Sequence, residues 1–345
     1  MNQSVNHLPE QVLTMSPVYT PLQRGFSHRD TFGKGYFSVS YSVIYPTQRV
    51  GVLNHLSNKK ANGGENTGGM EQGTINAYLQ AVNDTLAQRG LQVRLSYAET
   101  VTQKGNAEQA TGQTLFANDR TKRLTSQWVP GDQRRLADGN NLTYLVFQPF
   151  SLANGSVDSE PAIDASMDTW ESVKKNQKLD IVKRPYNGPN PSAILGTGSP
   201  FAADITEIGF LPGFIFDAIL GPGSSDGTLG VTFTFNFIDA DGNPTDINND
   251  GFADTALKEV WYNDNFLWTT NANAPGTDIE TVALHENGHA LGFGHFGKIF
   301  ITNNNNKLHV APRAVMNAII LGALRDPLGT DNASFSSVYG NWPKN

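Results

Sequence analysis

The sequence predicts an α+β fold, because helical and strand-like patterns alternate along the chain. Apolar residues recur at helical spacing over 75–86, 163–173 and 278–291. The alternation typical of strands occurs at 35–46 and again at 91–97. With 345 residues, of which 38% are apolar, the chain is long enough for two domains or one large one.

The first 140 residues are expected to form a separate N-terminal α/β region. Residues 58–73 are rich in glycine and polar side chains, as in a linker or loop. A helix is predicted over 75–86, Gly90 is expected to end it, and a half-buried strand follows at 91–97. We therefore expect a pro-region or an accessory domain over 1–140 and a second domain over 141–345.

A second helix is predicted after residue 160. Ile163, Met167, Trp170 and Val173 are spaced to line one helix face, and Pro161 stands near the start, where proline is tolerated. The most apolar stretch, 209–220, is too short for a transmembrane helix and contains proline and aspartate. A buried loop or strand is expected there.

Composition excludes some classes of function. A net charge of −7 and a pI near 5.5 argue against nucleic acid as a partner. The chain has no cysteine, so it has neither disulfides nor a thiol that could block a metal site. Residues 1–15 lack the basic start and apolar core of a secretion signal.

Residues 246–254 have the spacing of an EF-hand-like calcium loop. Its side-chain ligands would be Asp246, Asn248, Asp250 and Asp254, and the carbonyl of Phe252 would take the seventh position. The twelfth position, where a bidentate glutamate is usual, is a leucine. The segment therefore predicts either a structural calcium site or a tight turn rich in aspartate and asparagine.

The segment HENGHALGFGH, 285–295, predicts a catalytic metal site. His285 and His289 are four residues apart, so on a helix both side chains lie on one face. Gly292 can adopt the left-handed conformation that ends the helix and brings His295 back as a third ligand. Three imidazoles around zinc leave one position open, as in catalytic zinc sites, and Glu286 is the candidate general base.

The flanking sequence predicts that this motif begins on a helix. Thr277 and Glu280 have the spacing of a capping box, and apolar residues follow at helical spacing. The expected helix runs from about residue 278 to residue 291.

Together with Met316 in the sequence VMNA, this motif resembles the zinc signature and Met-turn of the metzincin metalloproteases, closest to the matrixin branch. The resemblance spans residues 141–339. It implies a twisted, mostly parallel sheet with two long helices and a small C-terminal subdomain. It also implies that Met316 forms an apolar floor beneath the three histidines and that Asp331 supports that turn from behind.

The resemblance assigns further segments. Residues 141–147 are similar to the first strand of the family, 160–170 to its first long helix, 203–210 to a central strand and 331–340 to its closing helix. Residues 221–235 are similar to the loop and edge strand along which a peptide substrate lies. Leu229, Gly230 and Val231 are accordingly the expected substrate-binding residues.

The chain also departs from the matrixin pattern. Phe296 follows the third histidine where matrixins usually have serine or threonine, and 21 residues separate His295 from Met316. No tyrosine follows Met316, so the additional tyrosine ligand of some metzincins has no counterpart.

The expected function is that of a zinc-dependent endopeptidase with a polypeptide substrate. The resemblance implies secretion and an apolar pocket formed by the segment after Met316. Two alternatives stay open. One is a calcium-stabilised binding or adhesion module with an inactive zinc site, and the other is a zinc hydrolase that acts on a different bond. The sequence does not indicate an oligomeric state.

Overall fold

The computed structural model describes residues 72–103, 114–118, 123–136, 139–153, 157–173, 178–196, 201–302 and 308–344. For 72–79 and 114–118 only the backbone is described. The strand expected at 35–46 and the linker or loop expected at 58–73 lie outside these residues, except for the last two positions of the latter.

The described residues contain five α-helices and fifteen strands. The helices are α1 (Gln72–Gln88), α2 (Glu160–Ser172), α3 (Gly213–Leu220), α4 (Ile279–Ala290) and α5 (Gly329–Tyr339). The longer strands are β1 (Val93–Gln103), β2 (Thr114–Asn118), β4 (Leu142–Val146), β8 (Ile205–Leu211), β9 (Thr228–Phe237), β10 (Ala253–Asn263), β13 (Gly297–Ile301) and β14 (Leu308–Ala311). The short strands are β3 (Ser126–Gln127), β5 (Leu152–Ala153), β6 (Val157–Asp158), β7 (Ile181–Lys183), β11 (Trp268–Thr269), β12 (Thr277–Asp278) and β15 (Ile319–Ile320).

The largest sheet of the described residues has eight strands. Its strand order is β15-β1-β9-β10-β8-β4-β7, and β3 also pairs with β10. Strands β10, β8, β4 and β7 are parallel, whereas β9 is antiparallel to both β10 and β1. The predicted α+β class is confirmed, as are the strands and helices expected at 141–147, 160–170, 203–210 and 331–340.

The sheet crosses the domain boundary that was expected at residue 140. Strand β1 pairs along its whole length with β9, and Val93 and Leu95 are buried in the same apolar cluster as Val231 and Phe233. Trp128 also lies in the core, where its indole N–H donates to the carbonyl of Ala290 at 2.9 Å. The expected separation therefore does not apply to β1 or to Trp128. Among the described side chains before residue 140, Val82, Leu86, Val93, Leu95, Val101 and Trp128 are buried in clusters that they share with residues of the second domain.

Helices α2 and α4 pack against each other on one face of the sheet. Trp170 on α2 is fully buried, and its indole N–H donates to the carbonyl of Leu284 on α4 at 2.8 Å. Its ring lies 4.9 Å from the ring of Phe293, just beyond α4. This contact between two helices and one aromatic cluster fixes α4 relative to the sheet.

Residues 213–220 form helix α3, which corrects the expectation of a loop or strand. Pro212 precedes the helix with an extended backbone, and Gly221, with φ +106°, ends it. Because the segment is apolar on most sides, its periodicity could not distinguish a buried helix from a buried strand. None of the helices in the described part of the chain has both the length and the apolar character needed to cross a membrane.

Glu207 introduces a buried acid into the middle of the sheet. Its side chain is inaccessible to solvent and accepts a hydrogen bond from the hydroxyl of Tyr262 at 2.9 Å. Burial raises the pKa of Glu207 to about 8. The folded chain therefore keeps a proton on Glu207 up to about pH 8, whereas the unfolded chain loses it near pH 4.5.

We expect Glu207→Gln to flatten the pH dependence of stability. Because the folded state binds the extra proton, Glu207 makes the free energy of unfolding fall as pH rises from 4.5 through 8, by up to about 1.4 kcal/mol per pH unit. Glutamine is neutral throughout and removes this contribution. Urea unfolding of both proteins at pH 5.5 and 8.5 measures the difference. If the free energy of unfolding fell equally between pH 5.5 and pH 8.5 in the unmodified protein and in Glu207→Gln, the prediction would be contradicted.

Candidate metal centre

Helix α4 begins one residue later than the predicted capping box requires. The N-cap is Asp278, and its carboxylate accepts from the N–H of Thr281 at 3.1 Å and from the hydroxyl of Thr281 at 2.7 Å. Arg325 forms an ion pair with the same carboxylate at 2.5 Å. The expected pair of Thr277 and Glu280 is therefore wrong. Aspartate caps a helix as well as threonine does, so spacing alone did not identify the first residue.

The three predicted histidines meet at one point. His285 Nε2 lies 3.0 Å from His289 Nε2 and 3.2 Å from His295 Nε2, and the latter two atoms are 3.1 Å apart. Gly292 has φ +93°, so the chain turns back after α4 as predicted and returns His295 to the helix. Two of the three histidines lie on α4 and the third follows the turn.

Hydrogen bonds to backbone carbonyls fix the tautomers of His285 and His289. They show that the Nε2 atoms of these two rings are unprotonated acceptors. His285 Nδ1 and His289 Nδ1 each lie 2.7 Å from a backbone carbonyl, of Val315 and Phe293 respectively. A carbonyl only accepts, so each Nδ1 carries the proton and each Nε2 presents a lone pair to the cluster. Burial lowers the pKa of His285 to about 4 and those of His289 and His295 well below their usual range.

Converging neutral imidazoles fit a metal ion. Three nitrogens at 2.0–2.1 Å from a tetrahedral ion would be about 3.3 Å apart, close to the separations of the Nε2 atoms. Without a cation their lone pairs would repel one another. Carbonyls that accept from Nδ1 are the usual outer partners of metal-binding histidines, because they fix the tautomer and the ring orientation. This buried group of three histidines can therefore hold a metal ion.

Glu286 lies beside the histidine cluster with one carboxylate oxygen held and the other without a hydrogen bond. Oε2 accepts from the hydroxyl of Thr232 at 2.6 Å, whereas Oε1 is buried and has no partner. A Cβ on Gly230 would stand 2.8 Å from Oε1, so the absence of a side chain there makes room for the carboxylate. Burial raises the pKa of Glu286 well above its usual value, and a nearby cation would lower it.

The turn beneath the histidines has the predicted components. Met316 is fully buried, and a Cβ on Gly288 of α4 would stand 2.3 Å from its sulfur, so helix and turn are in close contact. Asp331 is also buried and accepts from the N–H groups of Val315 at 2.8 Å and Met316 at 3.2 Å. Because the carbonyl of Val315 bonds His285, Asp331 is connected to the histidine cluster through this turn.

The expected substrate strand is not an edge strand. Gly230 pairs with Val101 of β1 on one side and with Tyr262 of β10 on the other, and Leu229, Gly230 and Val231 are all buried. A peptide therefore cannot pair with β9 in this arrangement. The expected edge position is wrong because residues 91–103 were treated as part of another domain, whereas the backbone of β1 fills that edge. The substrate-binding role of Leu229, Gly230 and Val231 stays a prediction.

The predicted calcium loop is folded as a hydrogen-bonded turn. Asp246 accepts from the N–H groups of Asp250 and Gly251, both at 3.0 Å, and Asp250 accepts from the N–H of Phe252 at 2.9 Å and from the amide of Asn248 at 3.0 Å. These contacts fit the alternative of an aspartate- and asparagine-rich turn.

Asp254, the ligand expected at position 9 of the calcium loop, has a different partner. Its buried carboxylate forms an ion pair with Arg134 at 2.7 Å and accepts from the hydroxyl of Thr245 at 2.6 Å. A buried carboxylate requires such partners, and they are provided by the protein. Among the residues that the structure describes, the histidine triad is the only group of three or more histidine or acidic side chains close enough to share an ion.

Sequence reasoning missed three residues around the metal centre. Thr232 holds Glu286, Glu99 Oε2 lies 3.5 Å from His295 Nδ1, and the backbone N–H of Val101 is near enough to the Glu286 carboxylate to lower its pKa. Thr232 and Val101 lie on neighbouring strands far from the motif in sequence. The alternation of apolar residues at 91–97 was the only sign in the sequence of the strand that contains Val101. It did not indicate which strands lie beside it.

Comparisons with known proteins give no further assignment. No family model matches the chain, and no curated protein matches it. Any conclusion on function therefore depends on the residues and geometry of the metal centre.

Proposed function

We propose that the chain is a zinc-dependent endopeptidase of the metzincin type. The observation that carries the proposal is the convergence of three imidazole lone pairs beside a buried carboxylate oxygen without a hydrogen-bond partner. The turn at Met316, supported by Asp331, agrees with the same class. The resemblance also implies secretion, which we propose with the function.

The roles of the chain's own residues follow from this geometry. When bound, zinc held by three histidines supplies a Lewis acid and lowers the pKa of water to about 7. Glu286 would accept the proton of the attacking water at Oε1 and return it to the leaving nitrogen of the peptide. Thr232 would keep Oε2 in place during both transfers, and the buried surroundings would exclude bulk water.

One observation favours the alternative of a binding module with an inactive site. Strand β1 covers the centre, so a polypeptide has no free strand edge beside Glu286. The carboxylates of the turn at 246–254 are not close enough together to share an ion, so calcium gives this alternative no support, whereas the covered centre does.

Metal removal and restoration test the proposed function. We expect the zinc-loaded protein with β1 displaced from β9 to cleave a peptide library or casein, a strong chelator to abolish cleavage, and about one equivalent of zinc to restore it. Cleavage products identified by mass spectrometry would show which bonds are cut. Cleavage that persists in a metal-free protein, or no cleavage by a zinc-loaded protein whose β1 has been displaced, would contradict the proposal.

A further inference from the structure

The end of β1 is held on both backbone edges, in the manner of an extended peptide in a groove. Toward β9 it pairs antiparallel, and the N–H of Gln103 donates to the carbonyl of Gly227 at 2.8 Å. Toward β15 it pairs parallel, and the N–H of Thr102 donates to the carbonyl of Ala318 at 3.3 Å. The groove between β9 and β15 is thus filled by residues 99–103 of the same chain.

The same residues pass directly over the metal centre. Glu99 Oε2 lies 3.5 Å from His295 Nδ1, and Val101 pairs with Gly230, where an added Cβ would stand 2.8 Å from Glu286 Oε1. The side chain of Val101 is fully buried in the apolar cluster that also contains Val315 and Met316. A peptide whose backbone is to reach Glu286 would need this space.

We infer that residues 99–103 occupy the substrate groove of the chain and block it. The inference rests on the proposed function and adds the regulation and the binding mode of its substrate. The ligand of the open groove is an extended polypeptide that runs antiparallel to β9 and places an apolar side chain where Val101 lies.

The packing of β1 shows how the groove could open without unfolding the sheet. Val93 and Leu95 anchor the first part of β1 in the core, beside α1. From residue 96 to residue 103, Val101 is the only fully buried side chain. Irregularities in the β1–β9 pairing occur after Leu95 and after Val101. Release of residues 99–103 therefore exposes mainly the side chain of Val101. The first part of β1, held by Val93 and Leu95, stays in place.

A binding experiment tests the block without requiring catalysis. The probe is a fluorescein-labelled peptide with the sequence of residues 96–103, SYAETVTQ. The receptor is the zinc-loaded chain with Glu286→Gln, which should not cleave it. When only a fraction of the chain is open, apparent affinity falls by that fraction. Adding Val101→Asp, which disfavours burial of β1, should therefore tighten peptide binding by about tenfold or more.

Val182→Asp is the matched control. Val182 lies on β7 at the opposite edge of the sheet and is 41% exposed, so the same substitution there should leave peptide binding unchanged. Equal binding by the Glu286→Gln chain with and without Val101→Asp, both folded by circular dichroism and both containing zinc, would overturn the inference. Thr102→Pro, which removes the N–H bonded to Ala318, provides a second release variant.

Hydrogen exchange keeps the inference testable if neither release variant folds. In the Glu286→Gln chain with natural β1, saturating peptide should increase amide exchange at residues 99–103 while residues 228–237 stay protected. Unchanged protection at 99–103 under saturating peptide would overturn the inference.

Failure of the block and failure of the proposed function give different results. Tighter peptide binding after Val101→Asp, with no hydrolysis by the same variant carrying Glu286, would support the groove and reject the peptidase. Hydrolysis by the unmodified chain at the rate of the Val101→Asp variant would reject the block and support the peptidase.

Discussion

Replacing Glu286 by glutamine is expected to lower the rate of peptide hydrolysis by roughly 10²–10⁴-fold while zinc stays bound. Glutamine has nearly the same shape, and its oxygen can still accept from the hydroxyl of Thr232, which lies 2.6 Å from Oε2 in the present structure. It cannot accept the proton of the attacking water at neutral pH. The three imidazoles are unchanged, so metal affinity should change little.

The measurement is kcat/KM for a peptide substrate together with zinc content per chain. Glu280→Gln is the control, because Glu280 lies on the same helix but forms an ion pair with Arg325 at 2.8 Å, at the start of α4. It should keep nearly full activity. If Glu286→Gln hydrolysed peptides as fast as the unmodified protein, Glu286 would not be the general base.

Replacing Asp331 by alanine should produce the largest loss of stability and should also weaken metal binding. The buried carboxylate accepts from the N–H groups of Val315, Met316 and Leu328. Each buried donor left without a partner costs about 1–3 kcal/mol, so with three such donors the free energy of unfolding should fall by about 3 kcal/mol or more. That is a large part of the stability of a typical domain.

The loss of metal affinity has a local cause. The carbonyl of Val315 fixes the ring of His285, and Asp331 holds the backbone of Val315. Losing such an outer contact typically costs 10- to 100-fold in metal affinity. Thermal unfolding with and without zinc, and competition with a chromophoric chelator, measure both effects. Asparagine retains one accepting oxygen, so the stability and the zinc affinity of Asp331→Asn should lie between those of the unmodified protein and of Asp331→Ala.

Asp168→Ala is the control for the Asp331 experiment. Asp168 is an exposed residue of α2, and such substitutions usually change stability by less than about 0.5 kcal/mol. If Asp331→Ala were as stable as this control, the carboxylate would not be the support of the turn.

The sequence predicted the cluster of three histidines because its information is local. The spacing of His285 and His289 depends on one helical turn, and the return of His295 depends on Gly292, whose backbone has the expected positive φ. The helices at 160–172 and 279–290 and the buried strands at 142–146 and 205–211 were predictable from the same short-range patterns and from the resemblance.

The surroundings of the centre could not be predicted because they depend on long-range pairing. Thr100 and Val231 are neighbours across β1 and β9 although 131 positions separate them in the chain. A period of two shows that a segment is a strand but not which strand it joins. For this reason β9 was expected at an edge. The helix at 213–220 was missed for a local reason, because an apolar segment without clear periodicity can be a buried helix or a buried strand.

X-ray absorption at the zinc edge tests the central claim most directly. For the zinc-loaded chain we expect about one ion per chain, with three imidazole nitrogens at about 2.0–2.1 Å and an oxygen in the fourth position. His289→Ala should remove this signal. A chain that binds no zinc, or a zinc ion whose spectrum shows no imidazole ligands, would contradict the assignment of His285, His289 and His295 as a catalytic metal centre.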